Sequence, residues 1–186
     1  MQAVYTILAS LDLGLLVGLI RFVSDARERQ ETDAIQQTAS TAFFCLGAMG
    51  LVISALIFTG GRMVSSLFDL PVEASSLAAK ALGIASLGLG LELASFVLAS
   101  YLQANHEFHL PNATETVVRL LRAAAMAVLV LRGYGLMAIV AVFPLSAAIR
   151  LLGNLAMSRL SRYPFFPSLR AVRLPSLRGL DRKSVV

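Results

Sequence analysis

Leu11-Asp12-Leu13-Gly14-Leu15-Leu16-Val17-Gly18-Leu19-Ile20-Arg21-Phe22 places an acid and a base inside one apolar segment that runs from about residue 3 to about residue 23. A helix of about 20 apolar residues is long enough to cross a bilayer. Residues nine apart on a helix are rotated by about 180° and separated by about 13 Å, so Asp12 and Arg21 cannot pair with each other. An ionisable group inside a membrane helix is costly and lines a cavity or meets another charge. Each therefore needs a partner on a different neighbour, and the segment belongs in a helical bundle. Ser10, Gly14 and Gly18 recur every four residues. They predict a face on which another backbone approaches closely. Arg21 lies one turn beyond that face and has two readings: a side chain that snorkels to the interface, or a group that serves function.

Composition extends the reading to the whole chain. Of 186 residues, 57% are hydrophobic and 15% charged, and the mean hydropathy is +0.76. Soluble domains carry about 25% charged residues, so this is an all-α, polytopic membrane protein. No charged side chain occurs from Ala34 to Gly61. Cys45 is the single cysteine and reads as a small apolar packing residue, with no disulfide framework or metal cluster. No basic residue precedes the first apolar run, which argues against a signal peptide.

The pattern predicts five spans, at about 3–23, 38–59, 77–103, 113–131 and 135–160, forming a bundle over 1–160 with a basic tail over 161–186. Residues 24–37 carry both charge signs and read as a helical extension into water with a solvated face. Residues 62–76 read as a turn or interfacial piece. The second span shows a small-residue face of Gly47, Gly50 and Ser54, and the third one of Gly83, Ser86, Gly90 and Ala94. Glu92 falls near the middle of the third span, where it is protonated, paired to an arginine, or part of an ion pathway. His106, Glu107 and His109 form a polar loop, since no further ligand has metal-site spacing. Glu115, Arg119 and Arg122 share one face of the fourth span. The fifth is broken by Pro144, which predicts a kink, and carries Arg150 and Asn154 one turn apart.

Seven of the 16 Lys and Arg follow residue 158: Arg159, Arg162, Arg170, Arg173, Arg178, Arg182 and Lys183. Beside a membrane helix such a tail is a positive-inside signal rather than a nucleic-acid site, and it places the C-terminus in the cytoplasm of an inner (plasma) membrane protein. Arginines of the tail interleave with Phe165, Phe166, Leu169, Val172 and Leu174, so residues 163–178 are expected to lie along the inner surface.

The order of features resembles the polysaccharide biosynthesis/oligosaccharide flippase family of the multidrug/oligosaccharidyl-lipid/polysaccharide exporter superfamily. The matching pieces are Leu11-Asp-Leu-Gly-Leu, Ile20-Arg21-Phe22, an apolar helix before Leu67-Phe68, Tyr101-Leu-Gln, Val118-Arg-Leu-Leu-Arg and Gly133-Tyr-Gly-Leu. The resemblance implies two six-helix lobes around a central cavity that alternate in opening to move a lipid-linked oligosaccharide between leaflets. It aligns this chain with helices two to six, without the first helix or the second lobe, which becomes a candidate partner.

Three functions compete. One is a flippase of lipid diphosphate-linked oligosaccharide, another a cation-coupled multidrug exporter of the same fold, and the last a membrane subunit that only packs against partners. Five arginines in or beside the spans (Arg21, Arg119, Arg122, Arg132, Arg150) against two mid-membrane acids favour an anionic cargo. The candidate substrate contacts are Arg21, Arg119, Arg122 and Arg150. Asp12, Glu92 and Glu115 are candidates for ion coupling or charge pairing. No catalytic constellation, cofactor motif or nucleic-acid element is legible, so no enzyme is expected.

Overall fold

The structure, a computed structural model, describes residues 16–66 and 72–169, with side chains everywhere in these ranges except at 61–66 and 72–75. Asp12, Ser10, Gly14 and the basic run from Arg170 onward lie outside the described residues. The described residues contain no strand and form six helices, α1 (16–28), α2 (Thr32–Ser66), α3 (Val72–Ser86), α4 (Leu89–Ala104), α5 (His109–Leu131) and α6 (Leu136–Leu160). Residues 32–60, 76–104 and 136–160 are each long and apolar enough to cross a membrane. Helix α5 has the length, but Glu115, Arg119 and Arg122 lie within it. The first span lies partly outside the described residues.

The chain forms two compact units. One comprises 16–45, 96–111 and 154–169 of the described residues, and the other 46–66, 72–95 and 112–153. In the first unit Leu19, Val23, Ala26, Ile35, Ala39, Val97, Leu98 and Leu102 are buried.

In the second unit the two small-residue faces meet. A Cβ added to Gly50 would come within 2.7 Å of the Gly90 Cα and 2.9 Å of the Leu89 carbonyl oxygen, so backbone packs directly on backbone. Beside this crossing, Gly47 faces Ala94, and Ser54 and Ser86 share a hydrogen bond of 3.4 Å. With little hydrophobic drive between helices in lipid, close van der Waals contact of this kind supplies the association. On the first helix, no atom of the described residues lies within 4 Å of where a Gly18 Cβ would be, and Ser10 and Gly14 of the expected face lie outside the described residues.

Three further expectations are corrected. Residues 24–37 are not one helical extension, because Gln30 adopts φ of 60° and ends α1. Its N–H bonds to the Arg27 carbonyl and the Glu31 N–H to the Ala26 carbonyl, the paired Schellman closure. His106 (φ 62°) ends α4 in the same way through Gln103 and Leu102, and Gly133 (φ 71°) ends α5 through Val130 and Leu129. The third span is divided at Leu87-Gly88. There the Ser86 hydroxyl donates to the Gly83 carbonyl at 2.8 Å, a local bond that competes with the helix ladder. The last helix, in contrast, continues through Pro144 from Leu136 to Leu160. One missing N–H does not end a helix whose remaining ladder is intact.

Replacement of Gly50 by valine forces the α2 and α4 backbones apart. We expect a loss of about 3 kcal/mol, the upper end for overpacking, read as a lower unfolding midpoint in detergent with α-helical content retained. Gly18→Val, at a position that meets no atom of the described residues, should leave the midpoint unchanged.

Candidate functional site

Within the second unit, the parts of α4, α5 and α6 that belong to it each bring charge to one point. Glu92 lies in the first turn of α4, where the break at Leu87-Gly88 leaves a helix N-terminus that favours a carboxylate. Its amide bonds to the Gly88 carbonyl at 2.9 Å. Gly88 can occupy this bend because the Pro144 backbone is 3.1 Å from where its Cβ would stand, too close for most side chains to be added without adjustment. From α6, Arg150 donates through Nη1 to Glu92 Oε1 at 2.5 Å. The same guanidinium places Nε 3.0 Å from Glu115 Oε2 and Nη2 3.3 Å from Glu115 Oε1. Arg150 and Glu92 side chains are only 7% and 5% exposed. A guanidinium so placed requires counter-charge with good geometry, and two carboxylates provide it.

Glu115 is shared. Its Oε1 also accepts from Arg119 Nε at 2.6 Å, one turn along α5. Arg119 is 74% exposed, so its fork of donors faces outward with its inner edge held. Arg122, half-buried on the same helix, lies 5.5 Å from the Phe143 ring centroid, and its charge reaches the Glu92 carboxylate. Its Nε has no hydrogen-bond partner among the described residues. Three guanidinium groups thus stand with two carboxylates, a cluster of net +1.

The cluster unites Glu92, Glu115, Arg119, Arg122 and Arg150 from the residues singled out in the sequence. Arg21 is exposed on α1 in the other unit, and Asp12 is outside the described residues. Among the described residues no three His, Cys, Asp or Glu form a metal-binding group, and His106 serves instead as the left-handed cap of α4.

A second polar cluster, in the first unit, was missed by the sequence reading. The sequence pattern puts Arg27 on a solvated face. Its Nε and Nη2 instead donate to Asn105 Oδ1 at 3.1 and 2.6 Å, and its Nη2 to the Tyr101 hydroxyl at 3.1 Å. The guanidinium also stacks on Tyr163, 3.8 Å from the ring centroid. Tyr101 donates to the Tyr163 carbonyl at 3.1 Å and its ring stacks on Phe165 at 4.7 Å. The available signal was Tyr101 in the last turn of α4 and Asn105 four positions on, just past its end, with the Tyr-Pro-Phe-Phe segment after α6.

These contacts strap residues 161–169 across helix ends. Phe165 and Ser158 exchange two backbone-directed bonds at 3.1 Å. Gln36 donates to the Phe166 carbonyl and the Ser168 N–H to the Ser40 hydroxyl, both at 3.2 Å. Glu107 accepts from the Arg162 N–H at 2.9 Å. Burial works against the Glu107 charge, but the Ser161 hydroxyl, the Arg162 N–H and the charges of His109 and Arg162 outweigh it and lower its pKa from the ordinary 4.5.

A family model described as polysaccharide biosynthesis protein matches residues 12–174, and the chain belongs to that family. No curated protein and no solved structure matches it.

Breaking the buried pair should be costly. Arg150→Gln leaves Glu92 buried and unpaired, and is expected to destabilise by about 3–5 kcal/mol in detergent unfolding. The double variant Glu92→Leu, Arg150→Met should cost less than the sum of the two single changes, the mark of direct coupling. The lowered Glu107 pKa makes a separate prediction. A depressed carboxyl contributes stability that is complete above its ordinary pKa and lost as pH falls through its folded value. Unfolding midpoints followed from pH 7 to below 4.5 should therefore converge for the native chain and Glu107→Gln, the native chain being the more stable only at the higher pH.

Proposed function

We propose, taking membership of the polysaccharide biosynthesis family as premise, that this chain serves in moving lipid diphosphate-linked oligosaccharide across the membrane. The observation that carries the reading is the cluster on α4, α5 and α6: ionisable groups held inside an apolar helical protein, with an excess of guanidinium over carboxylate. Charges in such a setting are expensive and mark a path for polar cargo.

The roles divide by exposure. Arg150, enclosed by Glu92 and Glu115, fixes the spacing of three helices. Arg119 presents an open fork whose planar donors suit phosphate oxygens, and Arg122 adds charge beside it. Arrival of an anionic diphosphate would compete with Glu115 for Arg119 while Arg150 continues to hold Glu115. Arg21, exposed on α1 of the first unit, is a separate candidate contact for an anionic group. The drug-exporter alternative has less support, because the carboxylate best buried for cation coupling, Glu92, is already matched to Arg150.

The test uses the full-length gene in its own host, with surface polysaccharide and the leaflet distribution of lipid-linked oligosaccharide as readouts. Arg119→Lys keeps the charge but loses the fork, and is expected to reduce export about tenfold, equivalent to ~1.4 kcal/mol, with unchanged protein level and helicity. Normal export by this variant would exclude Arg119 as a diphosphate contact. Normal export in a strain lacking the gene would remove the transport reading altogether.

A further inference from the structure

The strap after α6 has two sides. Phe165 and Ser161 turn inward and are buried. Leu160, Phe166 and Leu169 are exposed, as are Arg159 and Arg162. The sequence pattern alone suggested that Phe165 and Phe166 serve the same surface. The structure separates them, since Phe165 stacks on Tyr101 while Phe166 remains more than half exposed.

Residue 160 is the last of a helix long and apolar enough to span a membrane, so the strap begins where a bilayer's headgroup region would lie. Arg159 is held over the Phe166 ring, 4.5 Å from its centroid, which orients the guanidinium beside an exposed aromatic. It has no ion pair among the described residues. Arg162 is anchored at its backbone by Glu107, whose carboxylate also attracts its guanidinium. The strap is not a floppy tail that could choose any orientation: Arg27, Tyr101, Ser158, Ser40 and Gln36 fix its inner side.

We infer that residues 159–169 form a built contact for anionic phospholipid. Arg159 and Arg162 take the headgroup phosphates, and Leu160, Phe166 and Leu169 enter the headgroup–acyl boundary. Apolar side chains interleaved with arginine are the combination that binds such a surface. Arg27 is a positioning residue here: it touches no lipid and orients the strap through Tyr163. This inference needs only that the chain lie in a membrane and is independent of the proposed cargo.

The chain has no tryptophan, so Phe166→Trp supplies a single reporter. The purified full chain is placed in mixed vesicles of phosphatidylcholine and phosphatidylglycerol, brominated on one lipid or the other. Brominated phosphatidylglycerol should quench as though enriched about 25-fold around the reporter, about fivefold for each of the two arginines at a charged surface. Arg159→Gln or Arg162→Gln should lower the enrichment by the share of one arginine, and Arg159→Lys should retain it. Raising the salt concentration should erode it in the parent, a check that requires no second variant to fold. Equal quenching by the two lipids, or no quenching by either, would overturn the inference. So would displacement by inorganic phosphate, which would mark a site for free anions.

Discussion

A guanidinium group in an apolar helical protein must be matched by carboxylates, and Arg150 is the residue on which that requirement falls. It is nearly inaccessible and meets Glu92 and Glu115 together. The three residues come from α6, α4 and α5, so one side chain constrains three helices. Hydrophobic contact cannot set their register in lipid, because a slipped helix remains equally apolar. A charge pair at close range discriminates between registers.

The pair depends on the shape of the chain around it. Gly50 and Gly90 allow α2 and α4 to touch backbone to backbone, and Ser86 and Gly88 interrupt the helix just before Glu92. The interruption turns a residue in the middle of a span into one in the first turn of a helix, where the local dipole offsets part of the cost of its charge. Small residues therefore do two things: they bring helices together, and they permit a polar group to sit between them.

Within a family concerned with polysaccharide biosynthesis, this arrangement separates a fixed part from an available part. Arg150 is committed to its carboxylates, whereas Arg119 retains an open fork tied by one bond to Glu115. The first unit shows a comparable economy. Arg27 joins Tyr101, Asn105 and Tyr163, and so converts the chain after α6 from a tail into a fixed edge.

The sequence by itself determined the membrane class, the helical fold, the family, and the two small-residue faces of the second and third spans. These follow from composition and from periods of three and four, which are properties of a single helix. It also marked Glu92, Glu115, Arg119, Arg122 and Arg150 as groups in need of partners. Only the tertiary structure decided the pairings. Glu92 and Arg150 are separated by 58 positions, and nothing in either helix's pattern says which opposite charge it meets. The same limit hid the role of Arg27, whose charged neighbours made it look solvated while its hydrogen-bond partners lie 74 to 78 positions away. Gln30 and His106 could not be read as left-handed caps, because residues other than glycine adopt that conformation only when the surrounding fold holds them there. Periodicity reports which face of a helix is buried; the identity of what lies against it is a property of the assembled chain.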